Sequence, residues 1–241
     1  MNADLRADTV VAMMAAQIED GDVVATGVAS TLAILAIAVA RATTAPNLTY
    51  LACVGSIDPD LSHLHRSPEE LAYLEGRTAE ISIPELFDHA RRGRIDTIFF
   101  GAAEVDGQGR TNMSAAGSLA RPKPKFPGLA GAASLRRWVK KPVLVVPRQS
   151  RRNLVPEVQV ASTNDERRTM LVTDLAVFET GLPEARLVAR HPWASEAEIA
   201  DKTGFRYTTD AHLAVTSAPD ERTLRAIRSI DSQNQRHALV G

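Results

Sequence analysis

The chain has 241 residues, 44% of them hydrophobic and 24% charged, with a formal net charge of −1. That is enough globular-type sequence to bury a sizeable core. The near-neutral balance argues against nucleic acid or an anionic membrane as the main partner. One cysteine, Cys53, excludes an intrachain disulfide and suits a reducing compartment. The N-terminal MNADLRAD lacks a basic start and an apolar run, so no signal peptide is expected. The apolar stretch 32–40 is too short to span a bilayer. A soluble, cytoplasmic protein is therefore expected.

In chain order, residues 3–19 have helical spacing, with Leu5, Val10, Met13, Met14 and Ile18 on one side. Gly21-Asp22 breaks the pattern, and 23–26 reads as a short strand ending at Gly27. Residues 29–41 predict a helix apolar on most sides, hence buried. A strand over 47–54 follows, closed by Gly55. Strand, helix and strand with short connections imply parallel strands with a crossover helix. Residues 56–81 are polar and irregular, with Asp58-Pro59 and Ser67-Pro68 as turn signals. Ser82, Pro84 and Glu85 open a helix that runs to about Arg92. Further on come strands over 95–100, 142–146 and 185–190, and a hairpin of 170–173 with 175–178 around Asp174. Helices are expected over 129–138, 195–202 and 219–229. The reading is one α/β domain over 1–241, an open, mostly parallel sheet flanked by helices. Ligands bind beyond the carboxyl ends of such strands, where Gly27, Gly55 and Gly101 lie.

Between Gly101 and Gly131 the sequence reads as one long loop, rich in glycine and proline. Loops of that length in compact domains are usually functional. Gly128-Leu129-Ala130-Gly131 leads into a helical pattern, where small residues let main-chain N–H groups approach an anion. Arg121, Lys123 and Lys125 come just before. The segment suits a phosphate, a carboxylate or a developing oxyanion. His63 and His65 form an isolated pair without carboxylates or thiols at ligand spacing, so no metal site is expected. Gly107 and Gly109 match no nucleotide-binding fingerprint, since no helix follows at the right place.

Four segments in order resemble the β-type subunit of family I CoA-transferases. GAAEVDGQGRTNMS (101–114) is similar to that family's GAxQVDxxGNxN segment, and KFPGLAGAASL (125–135) to its glycine-rich oxyanion loop. LVTDLAVFE (171–179) resembles its VVTDLAVF hairpin, and HPWASEAEIADKTGF (191–205) its HPG…TGF segment. The segments resemble the β subunits of glutaconate CoA-transferases, with a clade of steroid-ring-opening CoA-ester hydrolases close by. The resemblance implies an open α/β fold and an α-type partner in a heterodimer or heterotetramer, with the active site between them. It implies coenzyme A as substrate and no permanently bound cofactor. In the transferases a β-subunit glutamate attacks the thioester, which splits one acyl transfer into two easier steps.

That glutamate lies two residues before a strand-ending glycine, and here the matching text is Leu51-Ala52-Cys53-Val54-Gly55. Cysteine replaces the glutamate. Three readings are open: Cys53 packs inertly while the partner supplies the chemistry, another acid serves nearby, or Cys53 is itself a nucleophile. Glu104 replaces the family's usual glutamine and is a candidate base or water-orienting group. Asn112 is a candidate substrate contact or loop brace. Gly55, Gly101, Gly128, Ala130 and Gly131 are candidates for main-chain oxyanion or substrate contacts. Arg121, Lys123 and Lys125 are candidates for pairing with CoA phosphates or a substrate carboxylate. The expected function is CoA transfer between carboxylic acids. The alternatives are CoA-ester hydrolysis, or a scaffold subunit that serves a catalytic partner.

Overall fold

The structure, a computed structural model, describes residues 3–126, 131–163 and 167–240. The chain divides into two compact units, one made of 2–99, 138–142 and 218–241, the other mainly of 100–137 and 143–217. Its class is the expected one, α/β with an open sheet, parallel at its core and flanked by helices.

The first unit opens with α1 (Ala3–Ala15), β1 (Val23–Ala25), α2 (Thr31–Ala42) and β2 (Thr49–Ala52). β1 and β2 pair in parallel, Val23 opposite Thr49 and Ala25 opposite Leu51, with α2 as the crossover. α2 is buried at every position from Thr31 to Ala40, as a helix apolar all round must be. A tight turn at Gly55 then folds β3 (Ser56–Ile57) back antiparallel on β2, and β4 (Ala79–Glu80) extends it. These two strands sit in the stretch that reads as irregular in the sequence.

α3 (Ile83–Arg91) begins at a capping box. Glu85 Oε2 accepts the Ser82 N–H at 2.8 Å while the Ser82 hydroxyl accepts from the Glu85 N–H. β5 (Thr97–Gly101) lies parallel on the other side of β1, Val24 opposite Thr97.

The second unit departs most from expectation. The long loop after Gly101 is instead two small hairpins, β6 (Glu104–Val105) with β7 (Thr111–Asn112), and β8 (Ala115–Ser118) with β9 (Arg121–Lys125). Among the described residues its glycines and prolines make turns and an edge, not a structureless lasso. Asp106 Oδ1 accepts the Gln108 and Arg110 N–H groups, and Gly109 takes φ +78° to close the first hairpin. Pro122 and Pro124 fall on β9, where a missing N–H is tolerated at an edge.

After α4 (Ala132–Trp138) come β10 (Lys141–Val146), β11 (Thr169–Thr173), β12 (Ala176–Thr180) and β13 (Ala185–Arg190). β10 and β11 are parallel, and β11, β12 and β13 run antiparallel. α5 (Glu196–Asp201) starts at Ser195, whose hydroxyl accepts the Glu198 N–H as the sequence predicts. β14 (Tyr207–Val215), which the sequence reading lacks, pairs in parallel with β13.

The chain then returns to the first unit with α6 (Glu221–Ile230) and a short α7 (Arg236–Leu239), also unforeseen. Arg236 is 2% exposed, and its Nε donates to Asp8 Oδ1 of α1 at 2.6 Å and its Nη1 to Asp231 Oδ2 at 2.9 Å. This buried ion triad ties the last helix to the first. Among the described residues no helix is long and apolar enough to cross a membrane.

Candidate functional site

Two groups of candidate residues have defined surroundings, one in each unit.

In the first unit, Cys53 follows β2 at the turn closed by Gly55, whose φ of +96° would strain any other residue and where a Cβ would come within 3.0 Å of the Ile81 carbonyl oxygen. The Gly55 N–H is spent on the Ala52 carbonyl at 3.0 Å, so this glycine makes the turn and is no oxyanion donor. The floor below is polar and fully paired. Tyr50 OH and Thr26 Oγ1 share a 2.7 Å hydrogen bond between the ends of β2 and β1, and the buried Ser56 hydroxyl donates to the Tyr73 carbonyl at 2.5 Å. Burial pushes the Tyr50 and Tyr73 phenols up, so both stay protonated.

Cys53 Sγ donates to the Pro68 carbonyl at 3.3 Å. Beside it, Glu69 Oε1 accepts the N–H of Ala29, a non-glycine residue at φ +55° in the segment after β1. Glu69 Oε2 accepts from the Ser67 hydroxyl. Burial of Glu69 works against its charge, but the Ser67 and Ala29 hydrogen bonds outweigh that and hold its carboxyl below the usual range. Burial first, then the nearby Glu69 charge, pushes the Cys53 thiol up to about 11. At neutral pH only about one molecule in ten thousand carries the thiolate, so Cys53 stands as a neutral S–H. A nucleophile needs the opposite environment. Sequence reasoning passed over Ser67, Pro68 and Glu69, whose only signal was a turn.

In the second unit, Glu104 on β6 is 7% exposed. Its Oε2 accepts from Asn112 Nδ2 at 2.9 Å and from the Gln159 N–H at 2.8 Å. No described residue donates to Oε1. Asn112 is used up within the chain: it also donates to the Ala115 carbonyl at 2.8 Å, and its Oδ1 accepts from the Ser114 and Ala115 N–H groups. Of the two roles open to it, its bonds serve bracing and leave none for a substrate. The pair crosses the β6–β7 hairpin, Glu104 opposite Asn112. That register follows from the Asp106 turn, where Arg110 Nε holds Asp106 at 2.7 Å.

Arg136 of α4 is fully buried and supports the same hairpin, donating to Thr163 Oγ1 at 2.9 Å and the Gly109 carbonyl at 2.6 Å.

The remaining candidates are more scattered. Gly101 ends β5 with open space where a side chain would stand. Gly131 precedes α4, its carbonyl accepting the Leu135 N–H at 2.9 Å. Gly128 and Ala130 lie outside the described residues. Arg121, Lys123 and Lys125 alternate along β9 and so share one face of it. All three are exposed, and none has an acidic partner among the described residues. Nor do those residues contain a group of three or more His, Cys, Asp or Glu able to hold a metal.

A family model described as Coenzyme A transferase matches residues 7–196. Over 216 residues the chain is 28% identical to one subunit of the 3-oxoadipate CoA-transferase of Pseudomonas knackmussii, covering 80% of this chain and 81% of that one. Among solved structures it is similar to the decarboxylase AibA/AibB, with 67% identity, 98% of each chain covered and a TM-score of 0.96. Four more structures of that decarboxylase carry valine, alanine, asparagine or serine in place of one cysteine. Glutaconate coenzyme A-transferase of Acidaminococcus fermentans shares the fold, with 20% identity, 95% of each chain covered and a TM-score of 0.82.

Proposed function

This chain belongs to the Coenzyme A transferase family as a β-type subunit, and we propose that, with an α-type partner, it decarboxylates a carboxyacyl-CoA thioester. The observation that carries the reading is Cys53. Where a transferase needs a carboxylate able to carry acyl and CoA in turn, this chain has a thiol held protonated at neutral pH. A neutral S–H is a poor nucleophile and a usable proton donor. The likeness to the decarboxylase AibA/AibB across nearly the whole chain supports decarboxylation.

Cleavage of the bond to the carboxylate releases CO2 and leaves its electron pair conjugated into the thioester carbonyl. The acid to expect is therefore one whose carboxylate lies β to that carbonyl, or farther along through a double bond. Cys53 Sγ gives its proton to the enolate carbon, and water restores the thiol. Arg121, Lys123 and Lys125, exposed on one face of β9, take CoA phosphates or the free carboxylate. Coenzyme A enters as part of the substrate, and no bound cofactor is required. One family domain over 1–241 is part of the same proposal, and a family match over residues 7–196 that draws on both units supports it.

CoA transfer is the second reading. It is favoured by the 28% identity to the 3-oxoadipate CoA-transferase chain and by the open Oε1 of Glu104, a carboxylate oxygen available to a reactant.

The test uses the chain purified with its partner and a set of dicarboxylic acyl-CoA thioesters. Decarboxylation releases CO2 and, in D2O, leaves deuterium on the product carbon. Borohydride or hydroxylamine trapping of a glutamyl-CoA adduct on this chain, without CO2, would establish transfer instead.

A further inference from the structure

Glu104 is a buried acid whose bonding leaves one oxygen idle. Oε2 accepts from Asn112 Nδ2 at 2.9 Å and from the Gln159 N–H at 2.8 Å. Both donors are fixed from behind. Asn112 is itself anchored to Ala115 and Ser114, and Gln159 Oε1 accepts the Gly117 N–H at 2.8 Å. The β6–β7 and β8–β9 hairpins therefore hold the carboxyl in one orientation. Oε1 receives nothing from the described residues, although Glu104 is only 7% exposed. A buried carboxylate oxygen without a donor costs free energy, and a ligand that brings a donor recovers it.

The arrangement also selects the ligand group. As a carboxylate, Glu104 presents only lone pairs at Oε1. A phosphate, a free carboxylate or a thioester carbonyl placed there would meet repulsion in a poorly solvated position. What fits is an uncharged donor, and the pantetheine arm of an acyl-CoA carries such donors as amide N–H groups.

We propose that Glu104 binds the pantetheine arm of the acyl-CoA: Oε1 accepts an amide N–H and so places the arm, with the anionic ends of the substrate away from it. The inference rests on the acyl-CoA substrate of the reading above and not on the reaction that follows. Glutamine could not take this role. Its side-chain oxygen would be claimed by the same two fixed donors, and its NH2 would stand where Oε1 is now, a donor facing a donor.

The test is calorimetric titration of the chain in complex with its partner with S-propyl-CoA, a thioether that can neither lose CO2 nor acylate the protein. Glu104→Gln keeps both bonds to the inner oxygen and should weaken binding at least about tenfold. Analogues of S-propyl-CoA with an ester in place of one or the other pantetheine amide test the same contact on the native complex, with no change to the fold. One of them should bind the native complex about tenfold more weakly than S-propyl-CoA, yet stay within about threefold of it on Glu104→Gln. That analogue identifies the amide. Equal affinity of the native and Glu104→Gln complexes for S-propyl-CoA overturns the proposal. So does native binding that neither ester weakens, or an ester loss that is the same in both complexes. If binding behaves as expected while no dicarboxylic thioester yields CO2, the decarboxylase reading fails and the contact at Glu104 stands.

Discussion

Replacing Cys53 by serine separates a proton donor from a packing residue more cleanly than any other change to this chain. The thiol stands near 11, held there by burial and the Glu69 charge, and is aimed by a 3.3 Å bond to Pro68. A serine hydroxyl fits the space and keeps that acceptor, but it is a much weaker acid. A positioned general acid contributes roughly 10²–10⁴ in rate. Cys53→Ser should therefore lower kcat for CO2 release by about a hundredfold, on the order of 2.7 kcal/mol of barrier. Cys53→Ala should lower it at least as far.

The sign of the pH dependence follows from the same group. The active form carries the proton, so activity limited by Cys53 stays level through the neutral range and falls as pH rises through about 11. The assay is CO2 release under saturating substrate, with deuterium incorporation from D2O as a second readout. Either variant within about threefold of the native rate would refute the role. So would an acyl group found covalently on Cys53.

Arg236→Met strands the buried carboxylates of Asp8 and Asp231 and should cost about 3–5 kcal/mol in urea unfolding. Adding Asp8→Asn should recover part of that loss. Asn112→Ala removes one of the two donors to Glu104 Oε2, and a destabilisation of roughly 1–3 kcal/mol by urea titration is expected. Reversing Arg121, Lys123 and Lys125 to glutamate should raise KM for the acyl-CoA by about tenfold with stability unchanged, and the salt dependence of KM should change sign. An unchanged KM would place CoA binding elsewhere.

Much of this protein is written in short-range pattern. Residues 31–40 are apolar on every face, so the helix they form has to be interior. Ser82 with Glu85, and Ser195 with Glu198, mark helix starts through bonds that span three residues. Likewise Asp174 breaks two β-branched runs into the hairpin of β11 and β12. Such features depend on neighbours along the chain, so a reader of the sequence reaches them.

What only the tertiary structure decided depends on partners far away in the chain. The 101–125 stretch looks like loop because glycine and proline weaken strand propensity, yet long-range bonds make it pair: Val105 N–H to the Asn153 carbonyl at 2.7 Å, and Thr111 beside Thr163. β14 lacks the alternation of a half-buried strand because most of it is exposed, and its pairing with β13 alone defines it. Arg136 reads as a surface residue of an ordinary helix, and it is buried because Thr163 and Gly109 bring acceptors to it. The state of Cys53 follows the same rule. Its identity is plain in the sequence, but whether its sulfur keeps a proton is set by depth of burial and by Glu69, residues that only folding brings to it.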